Sequence, residues 1–322
     1  MRFYRTCVCV GFMTMLVAGC AAEGRNHQTE SDAPPPPPKP VRLFTVPEFT
    51  EGVVFDRDGA GYISSGKYVY RFTPGGKPEV WAETGAANGH KILGDGTHLL
   101  CDRSQKAVLH LSADGKVLGK AASACDGKPL RAPNDLTIDR ANGGFYFTDP
   151  EESDLEHRIG TVHYVDANGK VTQVDSGLAY GNGIVLSADG KKLFVDETFT
   201  RIVYVYDVIA PGKLAPRKKF AELPDPIVKG LPIANLCDGM CLDAAGNLYV
   251  AHFGTGVIDV LDPTGKHLRT LEAGNIACSN VAFGGPNFDQ LFVTGGLGPI
   301  GKAEGAVFRI DLGVKGLRIL PK

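Results

Sequence analysis

Six segments of the chain carry one pattern of polar and apolar positions. A single Asn, Asp or Glu leads an alternating apolar run, a glycine-containing turn follows, and a second apolar run closes the unit. The segments begin at Glu51 (EGVVFDRDGAGYISS), Asn88 (NGHKILGDGTHLLCD), Asn134 (NDLTIDRANGGFYFTD), Asn182 (NGIVLSADGKKLFVDE), Asp238 (DGMCLDAAGNLYVAH) and Asn280 (NVAFGGPNFDQLFVTG). Period-two alternation between Gly-rich turns is the signal of strands and hairpins. The starts lie 37 to 56 residues apart, the spacing of four-stranded propeller blades. The pattern therefore predicts an all-β, six-bladed β-propeller with four antiparallel strands per blade.

The first blade parses into strands near 52–56, 61–65, 68–72 and 78–82, with turns at Asp58-Gly59 and Pro74-Gly75-Gly76; the fifth repeats this with GMCLD, NLYVAH, VIDVLD and HLRTLE. No segment holds a helical period. The last blade has three clear strands, and its fourth is either GLRIL near the C-terminus or VRLFTV at 41–46. The early strand is favoured, because it closes the ring with both ends of the chain and removes the exposed edges. Since the first strand of each blade lines the central channel, the six leading polar residues are expected in one ring at one mouth.

Composition adds bounds. The 322 residues are 43% hydrophobic with 41 Gly and 21 Pro, which suits one turn-rich domain, expected over 41–322. A net charge of −2 leaves no basic footprint for nucleic acid. Residues 1–19 place Arg2 and Arg5 before a short apolar run, as in an export signal. The following Val17-Ala18-Gly19-Cys20 resembles a bacterial lipobox, which implies acylation of Cys20; an ordinary cleaved signal is the alternative. Loss of residues 1–19 would change the net charge from −2 to −4. Residues 20–40 end in a proline-rich stretch and read as an extended tether. The chain is expected in a bacterial cell envelope, anchored by lipid in the periplasm or at the outer membrane, with no other membrane contact. Oligomeric state is left open. Of eight cysteines, Cys101, Cys125, Cys237, Cys241 and Cys278 fall in the domain, an odd number that leaves at least one free thiol. At most two disulfides are expected.

Asn-Gly usually marks a turn, and Asn168-Gly169 reads as a type I′ hairpin. Asn88-Gly89 and Asn182-Gly183 instead precede inner strands, in phase with Glu51 and Asp238. A ring offering Glu51, Asn182 and Asp238, with Asn134 nearby, contains carboxylate and amide oxygens and no thiolate or imidazole. Such donors select hard dications, calcium first, with magnesium, manganese or zinc as alternatives. Without a cation, facing carboxylates repel and one pKa should rise.

The order Glu51-Gly52, Arg131-Ala132-Pro133-Asn134-Asp135, Asn182-Gly183 and Asp238-Gly239-Met240 resembles the gluconolactonase and senescence-marker-protein (regucalcin) family of six-bladed propellers. GGFYFTDP, SADGKKLFV and AAGNLYVA extend the likeness over nearly all the chain from about residue 42. The resemblance implies a metal-dependent lactonase, usually using calcium, with other esters or organophosphates as further substrates. It implies metal ligation by Glu51, Asn182 and Asp238, substrate or outer roles for Arg131 and Asn134, and an acid/base role for Asp238. Asn88, in phase with the ring, is a further substrate-binding candidate. Tyr180-Gly181 and Cys237 stand where proline is common in that family, which bears on the pocket's backbone.

In the expected reaction the dication polarises a sugar-acid or similar small lactone, water attacks, and Arg131 or an Asn amide helps stabilise the oxyanion. Calcium acidifies water weakly, so a carboxylate base is wanted. Ligation would depress the pKa of Asp238, which makes Asp135 a second candidate. His90, His98 and His252 form no recognisable triad, and no nucleophile elbow, P-loop or dinucleotide fingerprint occurs. A noncatalytic propeller that binds a ligand or partner on its loop face is the competing expectation.

Overall fold

The computed structural model describes residues 37–73, 75–225, 233–299, 301 and 304–318. The signal segment, Cys20, most of the tether and Pro74 lie outside them. Six antiparallel sheets follow one another along the chain, and each blade runs outward from its innermost strand. The innermost strands are Thr50–Phe55, Ala87–Ile92, Leu136–Asp139, Gly181–Leu186, Leu236–Leu242 and Ala277–Gly284. One 3₁₀ turn, Thr198–Thr200, is the only helical element among the described residues.

Ring closure follows the early-strand expectation. Val41–Val46 pairs with Gly305–Asp311, in register Val41↔Arg309 to Val46↔Gly305, and completes the sixth blade. The C-terminal stretch instead bridges blade 5, through Asp243↔Gly316. Across the closure Phe55 of blade 1 meets Phe292 of blade 6 with ring centroids 4.4 Å apart. The cores lie between blades: one unites Tyr62 and Val69 with Leu100 and Leu109 of the next blade. Each blade alone has a naked apolar face, so the sheets are stable only as a stack.

One local expectation is corrected. Asn168 does not adopt positive φ, and only Gly169 does, at 81°. A type I′ turn needs both. Instead the Asp166 carboxylate accepts from the N–H groups of Asn168 and Lys170. Gly169 N–H bonds Asp166 O. That side-chain capture favours a longer turn with Gly169 alone in the left-handed region. None of the five domain cysteines forms a disulfide.

Candidate functional site

In five of the six blades the leading polar residue lies at a break in the ladder; in blade 3 Asn134 precedes the unbroken strand Leu136–Asp139. Register shifts fall between Thr50 and Val53, Ala87 and His90, Gly181 and Ile184, and Cys237 and Met240. Those breaks bracket Glu51, Asn88, Asn182 and Asp238. In blade 6 the shift sits between Cys278 and Asn280. A bulge releases one residue from strict alternation and re-aims its side chain.

The glycine that follows Glu51, Asn88, Asn182 and Asp238 serves close approach rather than a turn. A Cβ on Gly183 would stand 2.6 Å from Asp238 O, and one on Gly52 would stand 2.5 Å from Asn88 O. Second-strand hydroxyls then tie blade to blade: Ser64 donates to Asn88 O at 2.6 Å and Thr148 to Asn182 O at 2.8 Å. Main-chain oxygens are thus occupied sideways while the polar side chains stay at the channel mouth.

Four carboxylates gather there. Burial raises the pKa of Glu51 to about 8, with the Arg103 charge opposing and Asp135 adding to the rise. Burial likewise drives Asp238 well above the carboxylate range, helped by the negative charges of Glu51, Asp196 and Asp135. Asp196 is raised mainly by burial, with the Gly183 N–H opposing. Their mutual influence places Glu51 and Asp238, which lie far apart in sequence, at the same end of the channel. Asp135 Oδ2 and Asp196 Oδ2 are buried without a hydrogen-bond partner. Asn182 Nδ2 donates to Thr198 Oγ1 at 3.2 Å, which leaves its carbonyl oxygen as the unspent atom. Surplus buried negative charge beside a free amide oxygen fits a hard cation. No group of three His, Cys, Asp or Glu among the described residues could hold a metal by itself, so Asn182 is needed to complete a donor set.

The remaining expected residues divide. Asn88 and Asn134 are buried beside the inner strands, and Asn134 O accepts from Gly89 N at 2.8 Å. Lys91 Nζ lies 3.6 Å from Asp135 Oδ1. Arg131 spends its guanidinium on Ile159 O at 3.2 Å, whereas Arg103, which the sequence reading passed over, reaches the carboxylates. Arg103 is held by Glu151 at 2.5 Å. Burial works against its charge, but Tyr180, Glu151 and Glu51 outweigh that and raise its pKa. Tyr180, whose phenol burial pushes up, adjoins the same groups. Its φ of 67° is strained for a non-glycine residue, and no proline could adopt it. Arg103 follows the second strand of blade 2, where no motif marks it; position one residue past a strand was the available signal.

A sequence profile of the SMP-30/Gluconolactonase/LRE-like region matches residues 49–296. The chain is 31% identical over 271 residues to a pentonolactonase of Haloferax volcanii, covering 79% of this chain and 86% of that one. It is 26% identical over 277 residues to diisopropyl-fluorophosphatase of Loligo vulgaris, covering 76% and 84%. A gluconolactonase structure from Xanthomonas campestris superposes with TM-score 0.71 at 25% identity, covering 85% of this chain and 89% of that one.

Proposed function

Because the chain belongs to the SMP-30/gluconolactonase/LRE-like family, we propose that it hydrolyses a small lactone of the sugar-acid type at the acidic mouth of its channel. The observation that carries this reading is the cluster of half-buried Glu51 with buried Asp135, Asp196 and Asp238 beside the free carbonyl oxygen of Asn182. Glu51, Asn182 and Asp238 would hold a divalent cation, calcium by donor chemistry, which supplies Lewis-acid polarisation of a carbonyl when bound.

The chain's own groups account for the rest. Asp135 keeps Oδ2 free of protein hydrogen bonds and so has an atom able to take a proton from water. Asp238 is the other candidate for that role, and ligation would weaken it as a base. Arg103, fixed by Glu151, can hold substrate oxygen by charge-assisted hydrogen bonds. Asn88 and Asn134 offer buried amides at the same inner strands.

A panel of lactones, carboxylic esters and phosphotriesters, assayed with and without chelator, tests the reading. Chelator-sensitive lactone turnover supports it. Preferential turnover of phosphotriesters would favour the second reading, which the Loligo vulgaris relative supports. Metal binding with no turnover would leave a noncatalytic binding propeller. We further propose lipid anchoring through Cys20, motivated by Val17-Ala18-Gly19-Cys20 and the proline tract. The Cys20→Ser variant should then leave the membrane fraction.

A further inference from the structure

The opposite end of the channel contains a cavity of about 440 Å³, large enough for a small ligand. Every innermost strand contributes an apolar side chain to its wall: Val53, Ile92, Ile138, Val185, Met240 and Val281. Leu317 also lines it, from the chain segment that follows the last blade. One charged side chain enters from the inner strands. Lys91 lines the cavity and is only 13% exposed, and the nearest acidic oxygen, Asp135 Oδ1, is 3.6 Å away, too far for a hydrogen bond. An ammonium has three donors, and among the described residues Lys91 spends none of them in a hydrogen bond.

The other cationic groups at the cavity, Arg57 and Arg318, are exposed to solvent at its rim. Arg57 Nη2 donates to Gly94 O at 2.8 Å, and Arg318 stacks on Phe288 at 4.5 Å. The Asp56 carboxylate accepts from the N–H groups of Asp58 and Ala60 and from the Tyr62 hydroxyl. Beside Lys91 the Cys241 thiol stays neutral, because burial raises its pKa far above the usual range. The cavity therefore presents an apolar wall, one unspent ammonium and no free acid. A sugar would leave its hydroxyls unpaired against that wall, a cation would meet Lys91, and a pure hydrocarbon would desolvate the ammonium without compensation.

We propose that this cavity is a second binding site, for a medium-chain monocarboxylate whose carboxylate accepts hydrogen bonds from Lys91 Nζ while its chain lies along the six strand ends. The inference does not require the lactonase reading, since the cavity lies at the other end of the channel, although Lys91 adjoins Asp135. Lys91 would then stand between two carboxylates, the ligand's and that of Asp135, so occupancy at one end bears on the other.

Calorimetric titration of the calcium-saturated protein with octanoate, and with octanol as neutral comparator, tests it. Octanoate should saturate at one per chain and bind more tightly than octanol. Lys91→Met should weaken octanoate by about tenfold or more, the scale of a lost charge-assisted hydrogen bond, and leave octanol unchanged. Leu317→Trp, which narrows the cavity from the segment after the last blade, should weaken both. Absence of saturable octanoate binding overturns the proposal, as does octanoate binding no tighter than octanol. Octanoate binding that survives Leu317→Trp unchanged also overturns it, by placing the ligand elsewhere. The last two results need no Lys91 variant, so a failure of that variant to fold does not protect the idea.

Discussion

The two ends of the channel are made by the same six strands, and they have opposite chemistry. At the entering end Glu51, Asn88, Asn182 and Asp238 sit on register shifts; at the leaving end Val53, Ile92, Val185 and Met240 stand in or beside a regular ladder. Strict alternation would assign each strand one inward set of side chains along its whole length. A bulge after the first residues resets which side chains face the axis, so one strand supplies a carboxylate to one mouth and a hydrocarbon to the other. Function and core thus share the strand without sharing a face.

That contrast can be broken at the acidic end first. On the proposed reading Asp238→Asn removes a charged ligand and a candidate base, and should lower lactone turnover by on the order of 10³-fold or more while abolishing calcium binding; steady-state kinetics beside calorimetry reads both. Asp135→Asn should lower turnover by about 10²-fold or more with calcium still bound. Retained turnover would return the base role to Asp238.

Acidity provides a third test. Glu51 titrates in the unfolded chain near 4.5 and in the metal-free fold near 8. Between those values the folded state holds the extra proton, so stability without calcium should fall as pH rises through that window and level off above it. In the proposed site calcium would bind the charged form, so its stabilisation should grow over the same range, approaching about 2.7 kcal/mol at a hundredfold excess over Kd. Melting curves with chelator and with calcium at several pH values check both slopes. The smallest effect expected is that of Ser64→Ala, which orphans Asn88 O and should cost about 1–3 kcal/mol in chemical denaturation. The apolar end should not register it.

Blade number, strand order and ring closure were legible because each rests on spacing and alternation that recur along the chain. The place of Glu51, Asn182 and Asp238 on three inner strands was legible for the same reason, since they hold one phase. What escaped lay outside the repeat. Arg103 enters from a loop, and its rank over Arg131 depends on which guanidinium finds a carboxylate and which finds Ile159 O. Asp196 stands in the second strand of blade 4, where no motif marks it, and the approach of Gly183 N–H at 3.2 Å together with its charge effect on Asp238 reveals its place near the site. The Asn168-Gly169 turn misled because the dipeptide signal ignores Asp166, whose carboxylate organises the loop.

The closing strand also sets an order of events. Val41–Val46 leads the domain in sequence, yet its partner is Gly305–Asp311. During synthesis nearly the whole domain must be made before that first strand has anything to pair with. Loop closure over such a distance is slow relative to the hairpins within each blade. Five blades can therefore assemble while the earliest strand of the domain waits, with the outer edge of Gly305–Asp311 unpaired until it docks.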